Sequence, residues 1–187
     1  MVNPVLSVDV DWVKSYHQLN LLFDFVIDKF KKSKQIIFID CHHNILNFLD
    51  NNDKFLINID HHHDIFQPQV EGDSKYIHIG NWVKQLIDEN KLDHYFWVNN
   101  SNSFLEDSNL DPVRNIKSFK ILDNINDISK FDYEKIVICK SFDFFTEKEK
   151  NMGFSNIFNL FQIIAINLYK EKTIIDNQPN PYSFKLK

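Results

Sequence analysis

The chain has 187 residues, 43% of them apolar, with a formal net charge of −5. That suits one domain with a full core. A lone arginine, Arg114, and the absence of a basic face argue against a nucleic-acid binder. No apolar run approaches the roughly 20 residues that span a bilayer, and Met1 to Val13 carries two aspartates instead of a basic leader. A soluble, cytoplasmic protein is expected.

In chain order, Val5 to Val13 is apolar-rich and alternating, which predicts a strand with Asp9 and Asp11 on one face. Residues 17–32 have helical spacing (Leu21, Leu22, Phe25, Val26, Phe30) and end in Lys-Lys, as a helix C-terminus should. Gln35 to Asp40 reads as a buried strand, Asn44 to Asn51 as a short helix, and 54–59 as a third strand. A polar loop at 66–76 precedes a helix at Trp82 to Glu89 and a strand at His94 to Val98. Asn99 to Ser118 is rich in Asn, Ser and Asp, and a loop of that length in a small domain points to function. A short strand at Phe119 to Leu122 follows, then a buried strand at Lys135 to Lys140. A long amphipathic helix is predicted at Met152 to Lys170, and an irregular tail from Asn177. The two cysteines, Cys41 and Cys139, sit in separate apolar runs and read as buried reduced thiols.

Short apolar strands alternating with helices predict an α/β fold. It is expected to be a three-layer αβα domain over 1–187 with a mainly parallel central sheet. Ligands in such folds bind beyond the carboxyl ends of the strands. The strands at 5–10, 35–39 and 55–59 each deliver acidic or imidazole groups to that edge.

The densest cluster is Asn58-Ile59-Asp60-His61-His62-His63-Asp64. If extended, this segment puts Asp60, His62 and Asp64 on one face and His61 and His63 on the other. Carboxylates and imidazoles together suit a divalent ion such as manganese, iron or zinc. The bland alternative, a polar loop after a strand, leaves charges at a buried strand end unpaired, which is costly. Asp9-x-Asp11 repeats the spacing, and two carboxylates on one face repel unless a cation lies between them. His42 and His43 follow the second strand; either could complete a metal shell, with Asp40 orienting an imidazole. His78 reads equally as a proton shuttle or a structural histidine. Asp143 reaches the same sheet edge, as a ligand, a contact for a cationic substrate or a helix cap.

Together these residues resemble the arginase–deacetylase superfamily of binuclear metallohydrolases. The Asp-x-His-x-Asp of that family is matched by Asp60, His62 and Asp64. Its lone metal-binding histidine is matched by His42 or His43, and its Ser-x-Asp-x-Asp by Ser7, Asp9 and Asp11. Short length and the wording around Asp60 are most similar to peptide arginases. The resemblance implies a compact arginase-like fold and two manganese ions per chain, held by Asp9, Asp11, His42 or His43, Asp60, His62 and Asp64. It implies hydrolysis of arginine side chains in a ribosomally made precursor peptide to ornithine and urea. His78 would be the proton donor, and Asp143 or Asp64 would accept the proton and hold the guanidinium. The oligomeric state is left open, with a homo-oligomer allowed. One departure is the order: Ser-x-Asp-x-Asp comes first here, whereas ordinary arginases carry it near the end. Either the strand order is permuted or Ser141-Phe142-Asp143 is the counterpart.

Three rivals share some of these residues. Asp60-His61-His62 spells the hallmark of Asp-His-His phosphoesterases, but the histidine that such enzymes need before the first Asp-x-Asp is missing. Asp40-Cys41-His42-His43 echoes zinc deacetylases. A non-catalytic metal-binding protein is the third.

Overall fold

The structure, a computed structural model, describes residues 4–65, 80–100, 103 and 111–176. It is an α/β fold built on seven parallel strands in the order β5-β4-β3-β1-β6-β2-β7. The strands are β1 (Val5–Asp9), β2 (Gln35–Ile39), β3 (Phe55–Ile59), β4 (His94–Val98), β5 (Ser118–Leu122), β6 (Lys135–Cys139) and β7 (Thr173–Asp176). The middle strands are buried on both faces, which is why they read as continuous apolar runs.

Side chains alternate between two cores. Leu6, Val8, Ile36, Phe38, Ile57, Ile59, Ile136 and Ile138 face one layer, formed by α1 (Tyr16–Lys32), α4 (Asn156–Leu168) and a turn at Ile125–Ile128. Val5, Ile37, Ile39, Leu56, Tyr95, Trp97 and Val137 face the other, formed by α2 (Trp82–Asp88) with 3₁₀ turns at His42–Asn47 and Asp111–Asn115. Connections that move toward β7 use the first layer and those that move toward β5 use the second, so every crossover keeps one hand.

The helices start where local chemistry says they should. Ser15 accepts from the Gln18 amide at the head of α1, whose last turn holds Lys29, Lys31 and Lys32. Thr146 and Glu149 form a capping box on α3 (Glu147–Asn151).

Three expectations need correction. The first strand stops at Asp9, because the Asp9 carboxylate accepts from the Asp11 amide and turns Val10–Trp12 into a 3₁₀ helix. The segment at 44–51 is a 3₁₀ turn at His42–Asn47. The long helix predicted at 152–170 is shorter: α3 ends before it at Asn151, and α4 begins only at Asn156, after Gly153, which sits at φ +77 where a side chain would be strained. An edge strand, β7, follows at Thr173–Asp176, where no strand was expected.

The crossover from β1 goes toward β2 and that from β3 goes toward β4, in opposite directions. Beyond the adjacent carboxyl ends of β1 and β3 the chain therefore leaves a crevice, the place where open parallel sheets bind ligands. No helix among the described residues is long and apolar enough to cross a membrane.

Candidate metal centre

The crevice holds six side chains from three strand ends. Asp9 and Asp11 come from β1 and its 3₁₀ turn, His42 from the turn after β2, and Asp60, His62 and Asp64 from the loop after β3. All four carboxylates are buried, Asp11 completely.

Asp60 is shared between two halves. Its Oδ2 lies 3.1 Å from His42 Nδ1, and that nitrogen also lies 3.2 Å from Asp9 Oδ2 and 3.3 Å from Asp64 Oδ2. Its Oδ1 accepts from the His62 amide at 2.8 Å and lies 3.7 Å from His62 Nδ1, itself 3.6 Å from Asp11 Oδ2. Ligand atoms within each of the sets His42–Asp60–Asp64 and Asp11–Asp60–His62 lie within 4.8 Å of one another; a third set, Asp9–His42–Cys139, adjoins them.

The loop does not reach this arrangement by being extended, as the alternation argument assumed. The Asp60 carboxylate caps the His62 amide, and Asp64 takes a left-handed φ of 53. A tight turn brings the three side chains round to the crevice. Aspartate tolerates that conformation better than most residues.

The electrostatics are those of a site short of positive charge. Burial, then Asp9 and Asp60, raise the Asp11 carboxyl well above the ordinary range. Burial, then Asp60, do the same to Asp64. For Asp60 burial works the same way, but hydrogen bonds with His42 and His62 outweigh it and hold its pKa low. Burial also pulls the His42 imidazole down, yet its contacts with Asp60 and Asp9 raise it well above the usual value.

Four carboxylates against two imidazoles leave a charge of at least −2 (−4 and +2) when all are ionised. Neither oxygen of the buried Asp11 carboxylate has a hydrogen-bond partner among the described residues. Three carboxylate oxygens converge on one Nδ1, whose single proton satisfies one of them well. The donor set therefore fits divalent cations of intermediate hardness, with Asp60 placed to serve both halves.

A polar frame fixes the donors. Ser7 Oγ lies 2.6 Å from His42 Nε2, leaving Nδ1 for the crevice. Trp82 Nε1 donates to Asp64 Oδ2 at 2.6 Å, and its ring packs 4.8 Å from His42. Ser141, in the left-handed region at φ 34, donates to Asp9 Oδ2 at 2.6 Å. Asn58 donates to Asp60 Oδ2, and Trp97 Nε1 to the Asp60 carbonyl. The sequence signal for part of this frame was a polar residue inside a fully buried strand: Ser7 and Asn58 are cross-strand neighbours on one face of β1 and β3, both 0% exposed. Trp82 and Ser141 gave no such signal.

Of the remaining predicted residues, His43 is buried but stands outside all three donor sets. His63 accepts from the Ile65 amide through Nδ1 and packs on Trp97, a structural role. Asp143 lies in the turn Phe142–Phe144 at the end of β6, and its side chain is outside the described part. His78 is outside the described residues. His62, with 48% of its side chain exposed, is the solvent-facing member of the cluster, with the Phe144 ring 5.4 Å away.

Compared with protein-family models, curated proteins and solved structures, the chain gives no match.

Proposed function

We propose that this protein is a binuclear, manganese-dependent hydrolase that removes the guanidinium carbon from arginine side chains of a peptide, giving ornithine and urea. The carrying observation is the double use of Asp60, whose two oxygens point into two donor sets within one buried, charge-deficient crevice. His42, Asp9, Asp64 and Asp60 would hold one cation; Asp11, His62 and Asp60 the other. The pair of cations would supply water of lowered pKa and offset the carboxylate charge.

The chain's own residues set up the rest. Ser7, Trp82, Asn58 and Ser141 hold the donors in place before any ligand arrives. The mouth lies at His62, so a side chain entering from solvent meets His62 and Phe144 first. In the reaction a C–O bond forms at the guanidinium carbon and the C–N bond to the side-chain nitrogen breaks. That nitrogen leaves as the ornithine amine after gaining a proton. In this reading Asp64 would accept a proton within the site and His78 would deliver the proton to the amine.

The phosphoesterase reading draws on the triplet Asp60-His61-His62. His61 stands outside the donor sets, and its Nδ1 lies 3.4 Å from Ser103 Oγ. This favours the guanidinium reading. The test is mass spectrometry of arginine peptides incubated with protein and manganese. A loss of about 42 Da per arginine, with urea released, is the expected signature of hydrolysis, and Asp60→Ala should abolish it. Hydrolysis of a dinucleotide to mononucleotides or of pyrophosphate to phosphate, or release of acetate from an acetyl-lysine peptide, with arginine untouched would overturn the proposal.

A further inference from the structure

Of the side chains in the three donor sets, Cys139 alone is given no role by the guanidinium chemistry. It closes β6, and the register sets it directly beside Asp9 of β1. Cys139 belongs to the core face shared by Val5, Ile39 and Val137. Alternation along β1 turns Asp9 to the same face as Val5. Thiol and carboxylate therefore stand side by side at the carboxyl ends of two paired strands. An Asp9 oxygen, a His42 nitrogen and the Cys139 sulfur lie within 4.8 Å of one another, and Cys139 is fully buried. Donors around one tetrahedral ion stand roughly 3.5 Å apart, so a small inward movement closes the set.

A buried cysteine is most often a small apolar filler. Cys41 fits that description: it is buried and stands outside all three donor sets found among the described residues. Cys139 differs in its neighbours. Its sulfur lies 3.2 Å from Ser141 Oγ, and that hydroxyl gives its single proton to Asp9 Oδ2 at 2.6 Å. In the contact between Ser141 and Cys139 the thiol is therefore the donor. Its proton sits where a cation would sit, beside the carboxylate of Asp9 and the imidazole of His42. The unpartnered, buried Asp11 carboxylate in the same crevice independently calls for positive charge there.

We propose that Cys139 is a sulfur ligand of the ion held by Asp9 and His42, which gives the two halves of the centre different metal preferences. The half with Cys139 takes a thiophilic ion of the zinc, iron(II) or cobalt(II) class; the Asp11–Asp60–His62 half, which has no sulfur, takes manganese. This assignment rests on the two-ion reading of the crevice, not on the reaction assigned to it. Binding exchanges the thiol proton for the ion, and the proton passes to solvent. Asp60 and Asp64 complete the shell of the first ion, and Asp60 links it to the second. Manganese in excess fills both halves, but zinc displaces it from the first.

The probe is cobalt(II), one equivalent added without oxygen to the chelator-treated full chain. The expected spectrum has visible d–d bands and an intense near-ultraviolet sulfur-to-cobalt charge-transfer band. Cys139→Ser, nearly the same size, should abolish the near-ultraviolet band and keep the visible ones. It should also cut the preference for zinc over manganese about tenfold or more. Cys41→Ser should leave the spectrum unchanged. X-ray absorption of the zinc-loaded wild type should show one sulfur at about 2.3 Å among nitrogen and oxygen neighbours at about 2.0–2.2 Å, a readout that stands even if Cys139→Ser fails to fold. Visible bands alone, a charge-transfer band that survives Cys139→Ser or is lost with Cys41→Ser, an unchanged zinc preference, or a zinc shell free of sulfur would overturn the assignment and leave the two-ion reading standing. A chain that binds no cobalt would overturn both.

Discussion

Replacing Asp11 by Asn should stabilise the metal-free protein and weaken its response to manganese. The Asp11 side chain is fully buried, neither oxygen is hydrogen-bonded among the described residues, and Asp9 and Asp60 stand beside it. A buried, unsatisfied polar group costs about 1–3 kcal/mol, more when charged. Removing the charge at nearly constant volume should return about that much in chelator, or roughly 2–10 °C in melting temperature for a chain of this size. If Asp11 is a ligand, manganese at a thousandfold excess over Kd adds about 4 kcal/mol to the wild type. A hundredfold loss of affinity in the variant would cut that increment to about 1.4 kcal/mol. Melting both proteins at pH 8 in chelator and in manganese gives the four numbers needed. A variant less stable than wild type in chelator, or an equal manganese increment in both, would refute the reasoning.

In chelator, wild-type stability should fall as pH rises above the ordinary carboxylate range. Asp11, Asp64 and His42 all have raised pKa values in the folded state, so the folded protein binds more protons than the unfolded chain and each contribution is lost as pH rises. The lowered Asp60 pKa acts only below the ordinary carboxylate range and does not enter this window. Manganese should reverse the slope, since binding releases those protons. Urea midpoints across the range check both signs, and a rising midpoint in chelator would contradict them. Trp82→Phe removes the donor to Asp64 but keeps a ring against His42. It should cost about 1–3 kcal/mol and lower manganese affinity about 10–100-fold by calorimetry; no change in either would show that the indole does not orient Asp64.

The sheet was legible because its inner strands bury both faces, leaving five-residue apolar runs that end where the next charged or polar residue begins. The direction of the argument from β1, β2 and β3 to one edge depended only on parallel strands, and the fold has them. What the sequence hid lies in the turns. Asp9 capping Asp11 and the left-handed Asp64 are local hydrogen-bond and backbone choices that alternation cannot show. The choice between His42 and His43 depended on where a 3₁₀ turn begins, since consecutive residues point in different directions; His42 joins the donor sets and His43 stands outside them. β7 escaped because four residues after a helix carry little periodic signal. Ser141 and Trp82 reach the donors from 132 and 18 residues away, distances over which no spacing rule operates.

The strand order has a consequence for biosynthesis. All six donors are encoded by residue 64, whereas β6, which lies against β1 on the side opposite β3, spans Lys135–Cys139. During translation the acidic and imidazole groups emerge long before the wall that encloses them. A nascent chain thus carries its four carboxylates and two imidazoles unenclosed until the second half of the polypeptide has threaded into the middle of the sheet.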